Sequence, residues 1–148
     1  MTARALLLGV VLLLAGCGGG TGSKGLSHDE LVQQADAICA DAQKREAAIP
    51  RASKDSEVAR EETRRLGVAR VELAKLAALE PSEDDAGDYR ALLGGFRRTL
   101  GFVTQARDAA AAGNAPRHAV FTSKAVRASI ELGPVARRLG LKVCASAR

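Results

Sequence analysis

The chain has no tryptophan, one tyrosine and three phenylalanines in 148 residues. So few aromatics leave no base-stacking platform for nucleic acid, and too few rings for the sugar-lined cleft of a glycosidase. Methionine occurs once, as Met1, and C-x-x-C-H occurs nowhere, so a haem bundle lacks its usual ligands. There are two histidines, His28 and His118. Each falls in the first turn of an expected helix, at opposite ends of the bundle, where it is exposed and cannot share a metal with the other. Nucleophilic catalysis needs a nucleophile, a base and an orienting group, and no such set is evident. No catalytic residue, cofactor or metal is therefore expected. The longest apolar run, Ala5 to Ala15, is shorter than the ~20 residues a membrane-spanning helix needs.

A strong excess of one charge is missing too. The chain carries 22 basic and 17 acidic residues, a formal net charge of +5, which gives no argument for a nucleic-acid partner. The distribution is uneven. Residues 115–148 hold Arg117, Lys124, Arg127, Arg137, Arg138, Lys142 and Arg148 against Glu131 alone. Such a stretch could face anionic lipid or a polyanionic envelope polymer, but a solvated face paired with neighbouring acids explains it more simply. Glu80, Glu83, Asp84, Asp85 and Asp88 form an acidic cluster. It suits the positive end of a helix dipole and lacks the spacing of a calcium loop.

The N-terminus is informative. Residues 1–16, MTARALLLGVVLLLAG, have a basic start, a short apolar centre and small residues at the end, the pattern of a cleaved signal peptide. Leu14-Ala15-Gly16-Cys17 resembles the bacterial lipobox. The resemblance implies that Cys17 carries a thioether lipid and becomes the first residue of the mature chain, on the extracytoplasmic face of a cell membrane. Two or more acyl chains hold stably, at ~0.8 kcal/mol per buried methylene. Residues 17–26 then read as the lipidated cysteine and a flexible Gly-rich tether, of ~15 Å root-mean-square reach. Residues 27–148 form the folded domain. Removing residues 1–16 from 148 leaves 132, enough for one domain with a core.

Two cysteines remain, Cys39 and Cys144. Outside the cytoplasm an even pair reads as a disulfide, which across about a hundred residues contributes up to ~4–5 kcal/mol by loop-closure entropy. Two free buried thiols or a metal site are the alternatives. Zinc is disfavoured because no C-x-x-C exists and no histidine lies close to either cysteine.

The body reads as four helices. Ser27-His28-Asp29-Glu30 is a capping box, with Leu26 and Leu31 at the hydrophobic-staple positions. Leu31, Ala35, Ile38 and Ala42 form the first seam, and Pro50 marks that helix's end. The second helix begins near residues 53–56, with Leu66, Ala69, Leu73 and Leu76 inward, Glu61, Glu62, Arg64 and Arg65 on the wet side, and Pro81 closing it. The third opens at Ser82 and presents Tyr89, Leu92, Leu93, Phe96, Leu100 and Val103, with Gly94 and Gly95 allowing close approach of a neighbour or a bend. Gly113 and Asn114 stop it. The fourth has Pro116 in its first turn, a core stripe through Phe121, Ala125, Ala128 and Leu132, an internal Pro134, and Gly140 as C-terminal cap with Leu141 as its apolar partner. The expectation is an all-α, up-down four-helix bundle. If Cys39 and Cys144 pair, the tail after Gly140 must fold back along the first helix.

Two motifs carry a resemblance. Ala35-Asp36-Ala37-Ile38-Cys39-Ala40 and Leu139-Gly140-Leu141-Lys142-Val143-Cys144 are similar to the A-D-A-I-C-A and closing L-G-L-x-x-C signatures of small exported helical proteins of GC-rich bacteria. Many of those are read as lipoproteins without assigned function. The resemblance implies a disulfide-tied helical domain and no activity.

Two functions follow. The first is a non-enzymatic binding domain at the membrane surface, engaging an envelope protein or anionic polymer through a helix face. The second is a carrier holding a small hydrophobic ligand between its helices. Alanine-rich seams favour close packing and so the first. An apolar pocket of a few hundred cubic ångströms reverses that order.

Overall fold

The computed structural model describes residues 25–146. The leader, Cys17 and the tether up to residue 24 lie outside the described residues. Four helices follow one another: α1 His28–Ala47, α2 Asp55–Ala77, α3 Glu83–Ala111 and α4 Ala115–Arg138. Among the described residues there is no strand, only an isolated bridge between Leu26 and Pro81.

Local chemistry sets the helix ends. The Ser27 hydroxyl accepts from the Glu30 N–H while the Glu30 carboxylate accepts from the Ser27 N–H, completing the capping box. Asn114 caps α4 by accepting from the Arg117 N–H at 3.0 Å. Ser82 stands at the start of α3 but makes no side-chain cap; its hydroxyl donates to Asp85 instead. At the other ends, Gly113 and Gly140 take positive φ, +66° and +73°. The next N–H reaches back to close a Schellman turn in both cases: Asn114 to the Ala109 carbonyl, Leu141 to that of Ala136. A side chain at either glycine would strain the left-handed backbone.

The helices run up, down, up and down, so one end of the body gathers the start of α1, the start of α3 and the end of α4. Leu26 ties that end. Its N–H donates to the Glu80 carbonyl at 2.7 Å and its carbonyl accepts from Ser82. Gly25 lies so close to Pro81 that an added Cβ would sit 2.5 Å from the Pro81 carbonyl oxygen. Gly25 and Leu26 therefore already belong to the body, ahead of the capping box. His28 Nδ1 contacts Asp85 at 3.1 Å, and Arg138 pairs with both oxygens of Asp88.

The core centres on Leu31, Leu76, Tyr89, Leu92, Leu139 and Leu141, all buried. Each leucine contributes ~1.5–3 kcal/mol by leaving water. The Tyr89 hydroxyl donates to the Leu76 carbonyl at 2.7 Å, and burial pushes its pKa up to about 12. Gly95 is the point of close approach between α3 and α4, where an added Cβ would collide with Leu132 Cδ2.

After Gly140 the tail turns back along α1. Cys144 and Cys39 form a disulfide with Cα atoms 5.4 Å apart. Asp36, one turn before Cys39, accepts from three successive tail amides, Lys142, Val143 and Cys144, at 2.9–3.1 Å. Gln43 donates to the Val143 carbonyl and to the Ser146 hydroxyl. The two cysteine-bearing motifs are thus the two halves of one clasp.

Candidate ligand-binding cleft

Each helix packs on its neighbour in sequence: α1 on α2, α2 on α3 and α3 on α4. The tail supplies the link from α4 back to α1. Over the rest of its length α3 is flanked by α2 and α4, and an apolar cleft of about 300 Å³ opens among the three, bordered also by Glu46 of α1 and by Cys144, Ala145 and Ser146 of the tail.

The cleft follows from the α3 stripe. Its first half, Tyr89, Leu92 and Leu93, is buried in the core. Its second half, Phe96, Leu100 and Val103, is only half-buried and forms the cleft floor. Leu66 and Ala69 of α2 make one wall and Ala125 and Leu132 of α4 the other. The alanines do not close this seam, contrary to the expectation of close packing. With α2 and α4 held on opposite flanks of α3, side chains of one carbon are too short to fill the gap.

Polar groups rim this surface. Helical spacing puts Glu62 on the wet side of α2 with Arg65, yet both line the cleft. Glu62 Oε1 meets His118 Nε2 at 2.8 Å, a contact from α2 to α4, and Glu62 Oε2 is buried without a hydrogen-bond partner. Arg65 is held by Glu61, four residues before it, at 2.7 Å. The Glu61 carboxyl is kept below its ordinary pKa first by the Ala52 N–H and then by Arg65. Glu46 and Glu72 also line the cleft, and Glu72 is 2% exposed.

The residues singled out by sequence fall in several places. Cys39 and Cys144 are joined, and Cys144 ends beside the cleft. His28 is exposed, as expected. His118 is not: its side chain is only 28% exposed and packs against Glu62. The two histidines lie at opposite ends of the body. Asp85, read as a dipole charge, is also the partner of His28. In the basic stretch Arg138 is paired with Asp88, the stretch's lone acid Glu131 is taken by Arg98 from α3, and Arg117 and Lys124 lie over the Phe121 ring at 5.5 and 5.2 Å. No group of three His, Cys, Asp or Glu residues that could hold a metal occurs among the described residues. No helix there is long and apolar enough to cross a membrane.

Sequence reasoning missed the cleft and its acids. One signal was present. Glu72 stands three residues after Ala69 and four before Leu76, on the seam itself, where an acid needs a reason.

The fold and site thus define an all-α four-helix body, clasped by one disulfide, with an apolar cleft rimmed by carboxylates. No protein-family model matches the chain, and no curated protein or solved structure matches it either.

Proposed function

We propose that this protein is an extracytoplasmic lipoprotein, fixed to the membrane through Cys17, whose helical body holds a small hydrophobic ligand in the α2–α3–α4 cleft. The observation that carries the ligand reading is the cleft itself. Its volume, about 300 Å³, stands at the lower end of the ~300–1,000 Å³ range of small-molecule sites, and its floor is a row of apolar side chains from α3. The anchor rests on the lipobox resemblance at Leu14–Cys17. The body suits such an anchor, because the chain enters it at Gly25 and Leu26, at one end of the bundle.

Native mass spectrometry of the protein taken from the membrane fraction tests both parts. The expected result is a diacylglyceryl mass on Cys17 together with a retained apolar molecule. Cys17→Ser is expected to release the body from membranes. A variant that still fractionates with membranes overturns the anchor, and a wild-type protein free of any ligand after mild extraction counts against the carrier.

A second reading has its own observation. Val120, Val126 and Ile130 of α4 are 52%, 52% and 61% exposed, beside Lys124 and Arg127. That face supports docking of an envelope protein or anionic polymer. Recovery of a protein partner that is lost on Ile130→Asp, with no ligand in the cleft, favours it over the carrier.

A further inference from the structure

We propose that the outward face of α4 docks on anionic lipid head groups of the membrane that holds the anchor. This rests on the lipid-anchor reading of Cys17 and adds which side of the body meets the lipid. Val120, Ser123, Arg127, Ile130 and Pro134 follow one another at steps of three and four, so they share one stripe of the helix. All of them are exposed. The stripe lies opposite Ala125, Ala128, Leu132 and Ala136, which are buried. Val126 and Arg137 border it on one side and Lys124 on the other, all exposed. Arg138 pairs with Asp88, and Glu131, the acid of this face, meets Arg98. Among the described residues no acid pairs with Lys124, Arg127 or Arg137.

Cations set among branched apolar side chains suit a helix lying in a head-group layer. The apolar groups enter the acyl boundary, and the long Lys and Arg stems reach back to phosphate. A hydrated polyanion would use the cations but leave Val120 and Ile130 in water. A second copy would set like charges on like charges, because a two-fold contact presents the same patch from both sides. Chain length narrows the choice further. The chain enters the body at Gly25 and Leu26, beside the end of α4: a Cβ added at Gly140 would lie 3.5 Å from His28 Nε2 and from Val32 at the start of α1. Gly25 comes eight residues after Cys17, a span of at most ~29 Å. The lipid surface therefore meets α4 at high effective concentration, and a contact too weak to recruit a free protein is enough to orient a tethered one.

Co-sedimentation of the exported Cys17→Ser chain, which needs no detergent, with lipid vesicles at about 50 mM salt tests this. Vesicles of equal parts phosphatidylglycerol and phosphatidylcholine are expected to bind it at least about tenfold more tightly than phosphatidylcholine alone. Arg127→Glu is expected to weaken that binding about tenfold and Ile130→Ser about threefold. Both side chains are exposed, so the fold is expected to survive either change. Equal binding to the two kinds of vesicle, no binding to the anionic ones, or wild-type binding by Arg127→Glu overturns the proposal. So does wild-type binding by Ile130→Ser, or binding to soluble polyglutamate as tight as to the vesicles, since either shows a face that reads charge alone. The anchor is judged separately. A wash in about 1 M salt strips such a contact from cell membranes and leaves an acylated chain in place, so release of Cys17→Ser from washed membranes reports on the anchor alone.

Discussion

Asp36 shows how one side chain can organise a terminus. Three consecutive amides of an otherwise irregular tail converge on its two oxygens, Lys142 on Oδ2 and both Val143 and Cys144 on Oδ1. Removing the carboxylate leaves half-buried N–H groups without acceptors, at ~1–3 kcal/mol for an unsatisfied donor. Asp36→Ala is therefore expected to lower the unfolding free energy by about that much in urea titrations with the disulfide intact. Asp36→Asn, which keeps one acceptor oxygen, should fall between. A loss under ~0.5 kcal/mol for Asp36→Ala would mean that the disulfide, Leu141 and the Gln43 contacts hold the tail without it. Exposed ion pairs such as Arg45 with Asp41, or Lys75 with Asp41, are a weaker kind of contact, because water and salt screen them.

Helices were the most legible level, and adjacent glycines show where legibility stopped. The capping box at Ser27, the cap at Asn114 and the turns at Gly113 and Gly140 rest on contacts within a few residues, so sequence spacing carries them. Gly94 and Gly95 look alike in sequence. In the structure Gly94 has open space where a Cβ would go, whereas at Gly95 that Cβ would collide with Leu132. Gly94→Ala should raise stability by ~0.5–1 kcal/mol through helix propensity and a less flexible unfolded chain. Gly95→Ala should lower it by ~1–3 kcal/mol, since α3 and α4 must part or Leu132 must leave its rotamer. Thermal melts of the two variants check this, and equal effects would contradict the close approach of those helices. The outer side of α2 escapes sequence reading for a related reason. Glu61, Glu62 and Arg65 at helical spacing resemble a solvated ion-pair face, and nothing local reveals that α4 brings His118 to Glu62.

For the molecule as a whole, periodicity says which side of a helix seeks a partner, not whether one arrives. Phe96, Leu100 and Val103 continue the core stripe of α3 without a break, yet they face a gap because α2 and α4 flank α3 there. The disulfide and the Asp36 clasp fix the tail against α1 at the Cys39 level, and the cleft lies beside it, with Cys144 at its edge. On the carrier reading, this gap binds an apolar molecule. Titration of the detergent-free Cys17→Ser chain with the neutral dye Nile red, alongside the same chain carrying Ala69→Phe, tests it most directly. Ala69 lies in the α2 wall, so a phenylalanine there grows into the cleft. The expected result is one saturable site with a rise in fluorescence, lost in the Ala69→Phe chain at an unchanged Tm. Absence of a saturable site in the first chain, or undiminished binding in the second, would contradict it.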